Sequence, residues 1–150
     1  MQKQYKLALL IGRFEPFHSG HCRNFAQASL LADQLEIMIG SSYQPRTIKN
    51  PFTAQERRDM IYDSVWKIAG NTLSHQHIGY SFLRDYNYND NLWIRNVQQI
   101  IKAKYPDYKD EEICILGYEK DDSSWYLHAF PKWKFIATDP YVEHNKTHLP

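Results

Sequence analysis

Two histidines, His18 and His21, stand three positions apart where an apolar run gives way to a helix-like stretch. The apolar run covers residues 7–11 and is followed by Gly12, and the helix-like stretch covers 22–32. This order predicts a buried strand, a tight glycine turn and a helix that begins at the histidines. Backbone N–H groups and the helix dipole attract anions at such a place, and imidazoles add further donors. The pattern therefore favours a triphosphate ligand.

The same residues also allow interpretations other than a phosphate site. A histidine pair by itself is more typical of surface residues at the start of a helix. A zinc site is disfavoured because Cys22 and Cys114 each lack a partner at ligand spacing. A P-loop is excluded, since no Gly-Lys-Ser/Thr follows Gly12. The full order of strand, Gly-Arg-Phe, Pro-Phe-His, Gly-His and helix is more specific than the pair alone.

Composition limits the class of protein. The chain has 150 residues, of which 43% are hydrophobic and 23% charged, and this balance is typical of one globular domain. The net charge of +1 provides no general field for nucleic acid or an anionic membrane, so phosphate binding must come from local groups. No apolar run approaches the roughly 20 residues that cross a bilayer. Two unpaired cysteines and no recognisable signal peptide lead us to expect a cytoplasmic protein.

Strand and helix signals alternate along the chain. Thr53 and Glu56 form a capping box at the start of one helix. The alternation predicts an α/β fold in which helices cover both faces of a parallel sheet. Ligands of such sheets bind at the carboxyl ends of the strands, near the point where the strand order reverses. The predicted strands cover 7–11, 35–39, 77–82, 112–116 and 134–137, and the predicted helices cover 22–32, 54–69, a stretch capped by Asp90 or Asn91 that ends at Pro106, and 123–129.

Four stretches of the sequence carry a family resemblance. The first reads Gly-Arg-Phe from Gly12 and His-Ser-Gly-His from His18, and the others lie at 40–57, 84–93 and 117–133. With these residues the chain resembles the nucleotidyltransferases that have an HxGH-type signature. More narrowly, it resembles the archaeal-type nicotinamide mononucleotide adenylyltransferases, above all the adenylyltransferase half of bifunctional proteins that also carry a Nudix hydrolase domain. The resemblance implies a Rossmann-like nucleotidyltransferase fold with a central parallel sheet of about five strands.

The resemblance also implies a reaction. The 5′-phosphate of nicotinamide mononucleotide attacks the α-phosphorus of ATP in line, which gives NAD and pyrophosphate without a covalent enzyme intermediate. Transfers of this kind depend mainly on positioning and on charge stabilisation. By resemblance, Mg²⁺ is expected to bridge the substrate phosphates. The sequence has no carboxylate cluster that would form a dedicated metal cage, which suits a metal held mostly by substrate and water, and no residue is predicted as a metal ligand. By resemblance the catalytic residues are His18 and His21, and the ATP-binding residues are Gly12, Arg13, Phe14, Gly20 and Lys120.

The resemblance places the acceptor mononucleotide near Trp93, whose indole is expected to stack on the cationic pyridinium ring. Core packing is the alternative for Trp93, since it heads an apolar helix stripe. Solvated loop charge is the alternative for the two basic candidates, Lys49 and Arg46. Asp85 and Asn91 are the expected hydrogen-bonding partners of the mononucleotide.

One family feature is missing from the sequence. The superfamily usually has a second signature of Ser-x-Thr-x-x-Arg type near the C-terminus, and residues 1–150 do not contain it. We expect residues 1–150 to be a nucleotidyltransferase domain that stops before this signature and before a fused hydrolase domain. The alternative is a complete chain with weakened activity.

The sequence leaves several functional questions open. One alternative function is transfer to another phosphate acceptor such as phosphopantetheine, and another is nucleotide binding without catalysis. The expected partners are ATP, nicotinamide mononucleotide and NAD, with no nucleic acid and no membrane. Homo-oligomer formation and a preference for the nicotinamide or the nicotinate mononucleotide stay open.

Overall fold

The sheet of this protein has five parallel strands in the computed structural model, which describes residues 3–14, 19–69, 77–118 and 122–138. The strands are β1 (Tyr5–Gly12), β2 (Ala32–Ser42), β3 (Ile78–Arg84), β4 (Ile113–Gly117) and β5 (Lys134–Ala137). Their order across the sheet is β3-β2-β1-β4-β5, and each neighbouring pair is parallel. From β1 the chain adds β2 and then β3 on one side of β1. It then crosses over and adds β4 and β5 on the other side of β1. The strand order therefore reverses between β1 and β4, where a ligand crevice is expected.

Within the described ranges, three helices cover the sheet: α1 (Ser19–Leu31), α2 (Ala54–Ala69) and α3 (Asp90–Lys104). The 3-10 helices Asp110–Glu112 and Asp122–His128 flank β4. The central strands are apolar on both sides, as a parallel sheet buried between two layers requires. One face of β1 packs with α1 and α2, and the other packs with α3. The predicted α/β sheet with helices on both faces is confirmed.

The boundaries of most predicted elements shift by a few residues. The strand expected at 35–39 extends to Ala32–Ser42, and the weak strand signal at 77–82 becomes Ile78–Arg84. The short helix expected at 123–129 is the 3-10 helix Asp122–His128. The last strand agrees with its predicted bounds.

The predicted cap of α3 is wrong by one or two residues. The N-cap is Asn89 rather than Asp90 or Asn91, and its side chain accepts a hydrogen bond from the Leu92 N–H at 3.1 Å. Asn89 has a non-helical backbone (φ −140°), whereas Asp90 already belongs to the first turn. Three consecutive capping residue types made the sequence ambiguous at this point.

The predicted capping box of α2 is present. The Glu56 N–H donates to Thr53 Oγ1 at 3.1 Å, and the Thr53 N–H donates to Glu56 Oε1 at 2.9 Å. These bonds satisfy two of the N–H groups at the helix start. They also fix the loop between β2 and α2 next to the carboxyl ends of the strands. Across the described ranges, no helix combines the length and the apolar character needed to span a bilayer.

Candidate active site

A cavity of about 960 Å³ opens at the carboxyl edge of the sheet. Its walls come from the ends of β1, β2 and β4, from the first turn of α1 and from the loop between β3 and α3. It therefore lies where the strand order reverses. The predicted site residues that line it are Gly12, Arg13, Phe14, Gly20, His21, Lys49, Asp85 and Trp93.

The turn after β1 forms one corner of this cavity. Phe14 has a left-handed backbone (φ 55°), and its buried ring folds back over Gly12. A β-carbon at Gly12 would lie 3.1 Å from Phe14 Cζ, so the glycine is what allows the close approach. The Phe14 ring meets the His21 ring edge to face, with centroids 4.8 Å apart. His21 is thereby oriented in the first turn of α1, where the helix dipole favours an anion.

Two cationic side chains lie at the same corner. Arg13 is exposed, and its Nη2 donates to the Lys49 carbonyl oxygen at 2.9 Å. Lys49 is also exposed and lines the cavity. The strand-end turn and the β2–α2 loop thus place positive charge on one side of the cavity. Two predicted residues, His18 and Lys120, lie outside the described residues.

The end of β2 has an irregular backbone. The pairing register between β2 and β3 shifts between Ile39 and Ser42, and Ser41 has a left-handed backbone (φ 51°). Ser41 Oγ donates to Asp85 Oδ1 at 3.1 Å, and Gln44 Nε2 donates to Asp85 Oδ2 at 2.5 Å. Asp85 therefore joins the loops that follow β2 and β3, and it also lines the cavity.

The structure does not bring Arg46 and Asn91 into the cavity wall. Arg46 Nη2 pairs with Glu56 Oε1 at 3.0 Å, and its Nη1 donates to the Pro51 carbonyl oxygen at 3.3 Å. The pKa of Glu56 lies below its ordinary value, first because the Thr53 N–H donates to the carboxylate and then because Arg46 is adjacent. Asn91 is exposed in the first turn of α3.

An aromatic cluster forms the opposite wall. Trp93 is half-buried, and its ring centroid lies 5.7 Å from that of Trp125, 6.1 Å from that of Tyr126 and 6.0 Å from that of Phe130. Tyr126 donates to the Ile11 carbonyl oxygen at 3.3 Å, and burial raises the pKa of its hydroxyl. Trp93 therefore packs against the core and also lines the cavity, so its core packing does not exclude the expected stacking, which stays a prediction.

The sequence favours a structural over a catalytic role for Arg57, which follows the capping-box glutamate, and does not indicate the contacts that Arg57 makes next to the site. Its side chain is 0% exposed and donates to the carbonyl oxygens of Arg13 at 3.0 Å, Gly40 at 2.5 Å and Ser41 at 3.0 Å. The only available signal was its position directly after the capping box. Trp125 and Tyr88 were missed as well, although both line the cavity. Among the described residues, no group of three or more His, Cys, Asp or Glu side chains could hold a metal ion.

Several known proteins are similar to this chain in sequence. A model of the cytidylyltransferase-like family matches residues 9–138. A nicotinamide/nicotinic acid mononucleotide adenylyltransferase of Acinetobacter baylyi is 30% identical over 141 residues, which cover 93% of this chain and 70% of the relative. A nicotinamide-nucleotide adenylyltransferase of Saccharolobus solfataricus is 45% identical over 67 residues, which cover 45% of this chain and 38% of that protein.

Solved structures give the same result. The crystal structure of a bifunctional NMN adenylyltransferase/ADP ribose pyrophosphatase from Francisella tularensis superimposes with a TM-score of 0.79 at 34% identity. The match covers 96% of this chain and 40% of the Francisella chain. A second structure of such a protein from the same organism, complexed with AMP and a manganese ion, gives a TM-score of 0.77 at 32% identity. The resemblance expected from the four motif stretches is confirmed.

Proposed function

Since this chain belongs to the cytidylyltransferase-like family of nucleotidyltransferases, we propose that it transfers the adenylyl group of ATP to nicotinamide mononucleotide, with release of pyrophosphate. One observation carries the proposal: a single cavity has cationic and helix-terminal groups at one corner and an aromatic wall opposite them. The first set suits a polyphosphate, and the second suits a flat cationic ring. The relatives named for this activity are longer than this chain. The complete reaction is therefore a proposal for this chain.

The cavity corner formed by Arg13, His21 and the N-terminus of α1 is called the donor corner, because ATP is the adenylyl donor. Its groups stabilise the negative charge of the phosphates. Arg13, the N-terminus of α1 and His21 bind the ATP phosphates, and His18 acts with His21 at the α-phosphoryl group. The acceptor 5′-phosphate already carries a negative charge at neutral pH, so its oxygen attacks without a general base. The histidines therefore act as hydrogen-bond donors to the phosphoryl oxygens while pyrophosphate departs. Gly12, Phe14 and Gly20 shape the turn, and Lys120 is proposed as a further ATP contact.

The metal ion enters with the substrate in this proposal. Mg²⁺ would arrive bound to ATP, held mostly by phosphate oxygens and water rather than by side chains of this protein, and would supply neutralisation of the phosphate charge. The described residues offer no ligand cluster that would hold it beforehand. MgATP is therefore the donor substrate that we propose.

The acceptor side uses the aromatic wall, the loop after β3, and Lys49 from the cationic corner, where the 5′-phosphate would meet the ATP phosphates. The pyridinium ring stacks on Trp93, Lys49 binds the 5′-phosphate, and Asp85 accepts a hydrogen bond from the ribose. Arg46 and Asn91 lie outside the cavity lining, so they are weaker candidates for direct contact. We propose residues 1–150 as a nucleotidyltransferase domain that works in the cytoplasm, where the thiols of Cys22 and Cys114 stay free.

Pyrophosphate release from MgATP tests the proposal when several acceptors are compared. We expect release, with formation of the matching dinucleotide, for nicotinamide mononucleotide, nicotinate mononucleotide or both, and none for phosphopantetheine. Release with phosphopantetheine alone would identify a different transferase. ATP binding without release for any acceptor would identify a nucleotide-binding module that does not catalyse the reaction.

A further inference from the structure

Arg57 is a buried cation at the junction of two strand ends. It lies in the first turns of α2 with a side chain that is 0% exposed. Its Nη1 donates to the Arg13 carbonyl oxygen at 3.0 Å and to the Gly40 carbonyl oxygen at 2.5 Å. Its Nη2 donates to the Ser41 carbonyl oxygen at 3.0 Å, and its Nε donates to the Thr53 carbonyl oxygen at 3.3 Å. One planar guanidinium therefore joins β1, β2 and the start of α2.

The backbone atoms that Arg57 binds belong to different halves of the proposed site. Arg13 follows β1 on the ATP side, next to the turn that orients His21. Ser41 is the second-to-last residue of β2, on the acceptor side, and its hydroxyl donates to Asp85 at 3.1 Å. Ser41 also has the left-handed backbone that non-glycine residues rarely adopt (φ 51°), so it must be held in place by its surroundings. The hydrogen bond from Arg57 to its carbonyl oxygen is part of that restraint.

We propose that Arg57 is a positioning residue that sets the distance between the ATP half and the acceptor half of the site. The inference rests on the proposed function, because it concerns the transfer between those two substrates. In-line transfer requires the attacking oxygen and the α-phosphorus to approach to about 3–3.5 Å. Misplacement by about 1 Å can cost roughly 100-fold in rate even when each substrate still binds. The planar fork of arginine can reach several carbonyl groups together, whereas the ammonium of lysine is a compact point charge.

The test compares Arg57→Lys and Arg57→Gln with Arg58→Lys as the matched control. Arg58 is the next residue of α2, but its guanidinium lies over the Tyr62 and Tyr80 rings, at 5.6 and 5.1 Å from their centroids, away from the cavity lining. For each protein we would measure kcat, the separate Kd values of ATP and nicotinamide mononucleotide, and the Kd of NAD, which spans both halves. We expect both Arg57 variants to lose about 10- to 100-fold in kcat. In these variants the affinity for NAD should fall together with kcat, whereas the separate affinities for ATP and for nicotinamide mononucleotide should stay within about threefold of the wild type. Arg58→Lys should match the wild type in every constant.

Several results would overturn the inference. One is a kcat of the Arg57 variants within twofold of the control. Another is an equal loss of affinity for each separate substrate. That result would show that the substitution disturbs each half of the site rather than the distance between the two halves. Failure of both variants to fold would make Arg57 a folding residue and would equally end the proposal. Failure of the proposed function would be visible elsewhere, because the wild type and Arg58→Lys would then form no dinucleotide.

Discussion

At the scale of single residues, the proposed chemistry depends most on His21. Its ring packs against Phe14, with ring centroids 4.8 Å apart, and lies in the first turn of α1, at the cavity corner that we propose for the ATP phosphates. We predict that His21→Ala lowers kcat by about 100- to 1000-fold, the usual loss when one donor to a developing oxyanion is removed. The KM for ATP should change much less, because other phosphate contacts remain. Steady-state pyrophosphate release measures both constants.

The matched control for this variant is His77→Ala. His77 is exposed and precedes the amino end of β3, at the opposite edge of the sheet. Its substitution should leave kcat within twofold of the wild type. If His21→Ala kept full turnover, the imidazole would have no part in transfer and the assignment of the donor corner would fail.

Trp93 is predicted to serve both binding and stability. Trp93→Ala should raise the KM for nicotinamide mononucleotide roughly 2- to 30-fold, which corresponds to a cation–π contribution of about 0.5–2 kcal/mol. It should also lower the free energy of unfolding by about 3 kcal/mol, since three rings lose a packing partner. Kinetics with varied mononucleotide and urea denaturation measure the two effects.

Trp133→Ala separates these two effects. Trp133 is buried, stacks on Phe130 with centroids 5.0 Å apart and does not line the main cavity. Its substitution should cost a similar free energy of unfolding but leave the KM for the mononucleotide within twofold. Equal changes of KM in both variants would mean that Trp93 acts only through the core.

At the scale of elements, the start of α3 determines the position of Trp93 in the cavity wall. Asn89 caps this helix by accepting the Leu92 N–H at 3.1 Å, and Trp93 lies in the turn that follows. Asn89→Ala should lower the free energy of unfolding by about 1 kcal/mol, the typical value of an N-cap side chain. Asn91→Ala should change it by less than about 0.5 kcal/mol, because Asn91 is exposed within the helix. Chemical denaturation of both variants measures the difference, and the reverse order would contradict the assigned cap.

The elements also show what the sequence could and could not predict. Apolar runs that end in glycine predicted β1, β2 and β4, because a strand buried on both faces must be apolar along its length. The cap of α3 was missed because Asn89, Asp90 and Asn91 are all suitable residue types, and the tertiary path of the loop selects among them. The sequence also could not show which of the two basic candidates, Lys49 or Arg46, lines the cavity. Only the fold shows that Glu56 pairs with Arg46 while Lys49 faces the cavity.

The same limit applies to contacts that connect distant segments. Arg57 follows the capping box and has no local signal that it binds carbonyl groups 16 to 44 positions away in the sequence. The composition predicted neither this contact nor the convergence of Trp93, Trp125 and Phe130. Such contacts arise from strand order, which sequence periodicity alone does not determine.

At the scale of the whole molecule, a buried polar network ties α3 to the sheet. Glu36 of β2 is 0% exposed, and its carboxylate accepts hydrogen bonds from Lys104 Nζ at 2.5 Å, from Tyr105 at 2.5 Å and from Ser81. Lys104 Nζ also donates to the Tyr80 carbonyl oxygen at 2.9 Å. Burial, and then the neighbouring carboxylate, raise the pKa of Tyr105, so this hydroxyl stays a donor. The network joins β2, β3 and the end of α3 away from the cavity lining.

This arrangement predicts a coupled effect on stability that leaves catalysis unchanged. Lys104→Met leaves a buried carboxylate without its cation, and should lower the free energy of unfolding by about 2–3 kcal/mol. The cost lies below that of a fully buried pair, because the Lys104 side chain is 38% exposed. Adding Glu36→Gln removes the stranded charge while keeping an acceptor for Tyr105, so the double variant should recover at least about 1 kcal/mol.

A double-mutant cycle by urea denaturation measures the coupling, with the exposed Lys102→Met as control. Additive losses in the double variant would show that the two charges do not interact, and a fall in kcat would show that α3 transmits the change to the site.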